Sequence, residues 1–167
     1  PAHDRSLNNF YGREIDVDLA SATLSWNLAT ADYWLGDKLS RPTRDLIRKE
    51  VERRTFGPYL SCIATGKPRM FWPACTSNWN AVCQSGVTGA ALALIESRER
   101  RATVAAAAAQ LIRHFVEGFT ADGYCSEGLG YWNYGFGHFV LLAETMSQAT
   151  GGKVDWFENP HVRQIAQ

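Results

Sequence analysis

Apolar residues recur at steps of three and four through most of this chain, and no stretch alternates convincingly in steps of two. That period belongs to the α-helix, because residues three and four apart share one helical face. From Asp16 to Leu35 the face is Leu19, Ala22, Trp26, Ala29 and Tyr33, closed by Gly36, with Lys38 near the negative end of the helix dipole. A second helix begins in SRPTRDLIRKEVERR, with Pro42 in the first turn and Glu50 and Arg54 spaced as an i, i+4 pair. Gly57-Pro58 is expected to interrupt or kink it before a further helical stretch to Thr65.

Pro68 and Pro73 exclude a regular helix from GKPRMFWPACTSN. Ser77 or Asn78 then caps a third helix whose buried face is Cys83, Val87, Ala90 and Leu94. A fourth, starting near Ala102, aligns Val104, Ala108, Leu111, Phe115 and Phe119, and its successive alanines permit close approach by a neighbour. A fifth starts near Tyr131 and uses Phe136, Phe139, Val140, Ala143 and Met146. Gly151-Gly152 ends it, and a short sixth is expected from His161 to Ala166. The expectation is a single all-α domain over residues 1–167, built of antiparallel helical hairpins.

Charge and cysteine content narrow the function classes. Seventeen basic residues balance seventeen acidic ones, so no bulk attraction draws the chain to nucleic acid or to an anionic membrane. No apolar run is long enough to span a bilayer, so no membrane insertion is expected. Cys62, Cys75, Cys83 and Cys125 form no C-x-x-C pair, which argues against a zinc site and leaves small, mostly buried thiols, with room for one disulfide in an oxidising compartment. No metal or other cofactor is expected. The polar opening PAHDRSLNNFYGRE has neither an initiator Met nor a signal-peptide core, and is read as part of a processed or excised piece.

The unusual residues gather in two places, MFWPACTSNWNAVC and DGYCSEGLGYWNYGFGHF. The second holds six aromatic rings, five glycines, two carboxylates and one histidine within eighteen positions, a mixture no core helix needs. Both lie where a helix starts, so both are expected on one rim of the helical stack, facing a shared groove. Tyr131, Tyr134 and His138 share a helical face, while Trp72, Trp79 and Trp132 offer flat surfaces suited to the C–H face of a sugar ring. Each also has an ordinary structural use: Asn78 as an N-cap, His138 as a packed histidine, Glu127 as a tie for its glycine-rich loop.

TSNWNAVCQSGVTGAALAL followed by DGYCSEGLGYWNYGFGHFVLLAE resembles the heparinase II/III-like polysaccharide lyases, and NNFYGREIDV with the Trp-bearing helix after it extends the likeness. The resemblance implies part of an (α/α) toroid, a following β-rich domain in the parent protein, and a periplasmic or secreted location. It implies β-elimination on an anionic, uronic-acid-containing polysaccharide or oligosaccharide. There an Asn neutralises the uronate carboxylate, a base removes the C5 proton, and an acid protonates the leaving O4. By position Asn78 matches the neutraliser, with Asn80 as second donor. Tyr134 matches the catalytic tyrosine, with Tyr131 the alternative one turn earlier. Relatives place a histidine beside the Asn motif or shortly before the tyrosine, where this chain has NWN and CSEG, so the base stays open between Tyr134 and His138. Trp79, Trp132, Trp72 and Glu127 are the remaining expected substrate contacts. Two other readings stand beside this one: a non-catalytic carbohydrate-binding or interaction module, and a hydrolase using Asp122 and Glu127.

Overall fold

The computed structural model describes residues 16–167, and among them there is helix and loop but no strand. The NNFYGRE part of the resemblance lies outside the described residues. Helix α1 (Leu19–Leu35) starts on a reciprocal cap: Asp18 Oδ1 accepts from the Ser21 N–H at 2.7 Å, and Ser21 Oγ accepts from the Asp18 N–H at 2.8 Å. Gly36, at φ +48°, ends it where the sequence places the stop. Tyr33, expected on the apolar face, is 77% exposed. The last turn instead buries Asp32, which accepts from Arg44 Nε at 2.7 Å and from Arg48 at 2.8 Å. The Arg44 hydrogen bond, aided by both guanidinium charges and opposed by burial, holds the Asp32 carboxyl below its ordinary range.

Both arginines come from α2 (Arg41–Val51), capped by Ser40 and carrying Pro42 in its first turn. Gly57-Pro58 does not break the chain's helical path. A single π-helical turn, Glu52–Phe56, joins α2 to α3 (Gly57–Thr65), with the Gly57 N–H reaching back five residues to the Glu52 carbonyl. The wider turn makes room for a proline ring that would collide with a carbonyl of a regular helix.

Helix α4 (Asn78–Leu94) is the centre of the molecule, buried on every side from Asn80 to Ala91. The expected face Cys83, Val87, Ala90 and Leu94 is buried, but so is the rest, because α1 and α7 (Leu129–Thr150) flank it. Glycines set those approaches. A Cβ on Gly86 would stand 2.5 Å from the Ala22 backbone, one on Gly89 2.4 Å from the Trp26 ring, and one on Gly135 3.0 Å from Asn78 Cβ. The order of contacts gives direction: Ala22 then Trp26 meet Gly86 then Gly89, and Asn78 then Ser85 meet Gly135 then His138. Helices α1, α4 and α7 therefore run parallel in one row.

The segments between them return antiparallel. Asp32 meets Arg44 while Ser25 Oγ meets Thr55 Oγ1 at 2.7 Å, which sets α2–α3 against α1. Helices α5 (Arg98–Leu111) and α6 (Arg113–Glu117) return along α4, with Asn80 Nδ2 donating to the Leu111 carbonyl at 3.2 Å. Helix α5 starts four residues before the expected Ala102 because Ser97 caps it, accepting from the Arg100 N–H at 3.2 Å. A short α8 (Pro160–Ile165), capped by Asn159, closes the far side. Two apolar clusters result, one around Tyr59, Trp72 and Val87, the other around Phe115, Phe139 and Leu142. Val140, expected on the apolar face of this helix with Phe136 and Phe139, is instead 37% exposed on α7. All four cysteines are free thiols, and no helix among the described residues is long and apolar enough to cross a membrane.

Candidate functional site

The start of α4 is held by a residue far away in sequence. Ser77, the N-cap, makes no side-chain cap bond. The Glu127 carboxylate supplies the acceptor instead, taking the Asn78 N–H at 3.3 Å and the Asn78 Nδ2 amide at 3.1 and 3.3 Å. The first N–H groups of a helix have no intrahelical acceptor, and the positive end of the dipole favours an anion. Asn78 is thus not the cap itself. It is a donor to a carboxylate, and with Glu127 seated it is only 4% exposed.

Glu127 reaches this position from the Thr120–Gly128 loop. There Asp122 accepts from the Thr120 hydroxyl, and Thr120 Oγ1 also accepts from the Tyr124 N–H at 3.1 Å. Gly123 and Gly128 have φ of +84° and +89°, which only glycine adopts without strain. The hydroxyl of Thr120, seconded by the Tyr124 N–H, lowers the Asp122 carboxyl. A hydrolase acid needs the opposite shift. Asp122 is bonded within the loop, and Glu127 ties the loop to the start of α4.

Helix α7 then presents the aromatic face. Close contact of Gly135 with Asn78 Cβ and the Phe115 ring brings the α7 entry against the start of α4. Tyr131, 54% exposed, lines a cavity of about 130 Å³ with Ser77, Phe115, Ser126 and Glu127. One turn on, Tyr134 stands edge-on to His138, ring centroids 5.2 Å apart. Burial, with a smaller contribution from the Cys83 thiol, raises the Tyr134 phenol. Burial lowers the His138 imidazole. At neutral pH the pair is therefore a protonated phenol beside a neutral imidazole, an acid and a base by disposition.

The tryptophans divide. Trp72 cannot stack on a sugar: it is 1% exposed, lies parallel to Tyr59 at 5.6 Å, and donates from Nε1 to the Val17 carbonyl at 2.6 Å. Asn80 is likewise removed from any substrate role. It is fully buried and donates to the carbonyls of Trp72, Pro73 and Leu111, pinning the loop before α4 to the end of α5. Trp132 is half-buried on Phe136, bonded to the Ile165 carbonyl at 3.0 Å, and lines a separate cavity of about 430 Å³ beside α8. Trp79 is half-buried against the exposed Phe71, centroids 4.9 Å apart.

Sequence reasoning passed over Ser85, whose Oγ lies 3.0 Å from His138 Nδ1. A signal existed, since Ser85 is seven residues after Asn78 and so two turns along the same face of α4. No group of three His, Cys, Asp or Glu side chains among the described residues is arranged to hold a metal ion. No family model matches this chain, and no curated protein matches it.

Proposed function

We propose that this chain is the helical part of a polysaccharide lyase that cleaves a uronic-acid-containing chain by β-elimination. The observation that carries the reading is the carboxylate held by Asn78 through its amide and its backbone N–H, next to the α7 face that bears Tyr131, Tyr134 and His138. Elimination requires the uronate carboxylate to be neutralised so that the C5 proton becomes acidic, and donors of this kind stabilise charge as it develops there. Glu127 holds the position a uronate carboxylate would take, so substrate has to displace it. The opposite shifts of Tyr134 and His138 favour the phenol as acid to O4 and the imidazole as base at C5. A row of parallel helices joined by antiparallel returns is what an arc of an (α/α) toroid requires, while assignment to the heparinase II/III-like group rests on the sequence resemblance. The parent would carry a β-rich domain completing the cleft, and would work in the periplasm or outside the cell.

One observation favours a second reading. Asn78 is closed by Glu127, while Phe71 and Trp79 form a partly exposed aromatic pair at the same helix start. That arrangement suits a non-catalytic carbohydrate-binding module. The two separate by product. Incubation of the full-length parent with alginate, heparan or chondroitin should give ultraviolet absorbance from the unsaturated uronyl end. New reducing ends without that absorbance would mean hydrolysis, and binding with no cleavage of any uronate chain would leave the module.

A further inference from the structure

Ser85 and His138 sit on neighbouring parallel helices, and their contact has a definite proton arrangement. Ser85 Oγ lies 3.0 Å from His138 Nδ1 and 3.1 Å from the Val82 carbonyl, and the serine is fully buried. A hydroxyl has one hydrogen to donate. If that hydrogen pointed to Nδ1, the Ser85 oxygen would face the Val82 carbonyl with no hydrogen between them. If it goes to Val82, Oγ accepts from an Nδ1–H and both contacts of the buried hydroxyl are satisfied. Only the second arrangement makes both contacts hydrogen bonds.

We propose that Ser85 is a positioning residue that fixes His138 in the Nδ1–H tautomer, leaving Nε2 as the bare, basic nitrogen of a ring that stands edge-on to Tyr134. No other hydrogen bond of the His138 ring exists among the described residues, so Nε2 keeps its lone pair for a proton. The choice of tautomer is set by the bond the other ring nitrogen makes. Solvated neutral histidine prefers the opposite form, protonated on Nε2, which could not accept the C5 proton there. The catalytic consequence rests on the elimination reading; the tautomer does not.

The test is two-bond ¹H–¹⁵N correlation spectroscopy of the whole chain labelled at histidine, with the His138 signals assigned through His138→Gln. A protonated Nδ1 with an unprotonated Nε2 at neutral pH is expected, and the reverse pattern in the wild type would overturn the proposal. Ser85→Ala should shift His138 toward the Nε2–H form, while an unchanged tautomer would show that Ser85 does not set it. The wild-type spectrum decides the proton arrangement even if the variant fails to fold. In the full-length parent, Ser85→Ala should lower kcat on a uronate chain by about 10- to 100-fold with KM little changed. Unaltered kcat with a switched tautomer would refute the positioning role. A parent that cleaves no uronate chain refutes the elimination reading instead, and the spectrum still decides whether Ser85 sets the tautomer.

Discussion

Removing Glu127 tests whether the start of α4 is a carboxylate cradle. Glu127→Ala deletes three contacts of 3.1 to 3.3 Å to the Asn78 amide and backbone N–H. Capping interactions at helix starts are worth about 0.5–2 kcal/mol, and a charged acceptor at the positive end of the dipole adds a few tenths. The distances are at the long end, and Glu127 is itself exposed, so water replaces part of what is lost. The expected net loss is about 0.5–1 kcal/mol. For a chain of this size that lowers Tm by roughly 1–4 °C, read by far-ultraviolet circular dichroism. The vacated cradle should then accept free glucuronate, and at tenfold its Kd the ligand returns about 1.4 kcal/mol by mass action. Glucose, the same ring without the carboxylate, is the control. Wild-type protein should respond less to glucuronate, because Glu127 competes for the site. A variant that melts with the wild type would show that the contacts contribute nothing. A lowered Tm with equal response to glucuronate and glucose would refute carboxylate selection.

Three further outcomes are expected. Gly86→Ala should destabilise by about 1–3 kcal/mol, since its Cβ meets backbone at 2.5 Å, whereas Gly137→Ala, with open space around it in α7, should stabilise by about 0.5–1 kcal/mol; a denaturant melt in which Gly86→Ala is as stable as the wild type would refute the α1–α4 approach. Tyr134→Phe in the parent should cut turnover by about 10²- to 10⁴-fold with affinity little changed, and Tyr131→Phe much less; steady-state kinetics showing the reverse would move the acid one helical turn. Asp32, depressed by its arginines, contributes stability that is fully present above the ordinary aspartate range, about pH 4, and is lost as pH falls through its lower folded value. Asp32→Asn should be less stable at neutral pH and lose part of the acid limb of a stability–pH curve; an unchanged limb would mean that Asp32 does not carry it.

The helices were legible because their evidence is local. Pro42 marks a start, Gly36 and Gly151 each an end, and the three- and four-residue steps fill the intervals, while the caps Asp18, Ser40 and Asn159 went unread. What misled was also local. The charged run after Ser97 hid the first turn of α5, and the glycine-proline pair at 57 and 58 concealed a turn that a chain can widen rather than break. Trp72 and Trp79 are equally aromatic and stand in the same stretch, yet one is core and the other half-buried, and only the placement of Val17 and Tyr59 separates them. The Asn78–Glu127 contact spans 49 positions and the Ser85–His138 contact 53, so neither could be read from spacing. The glycines at 86 and 89, which let α1 approach, went unread, and close approach was assigned instead to the alanines of α5.

Because α4 contributes to both apolar clusters, the order in which the ribosome delivers this chain matters. When α4 emerges, α1 and the α2–α3 return already exist and can cover its Cys83–Val87 side. The side that bears Ala81 and Ser85 gains only the α5–α6 return along one edge until α7 is made, a long loop later. For that interval the nascent chain shows water a face meant for the interior, with the small side chains of Ala81 and Ser85 that any passing helix could approach. Ala81 and Ser85 on α4, in place of larger aliphatics, keep that temporary face less adhesive than a leucine-rich one would be.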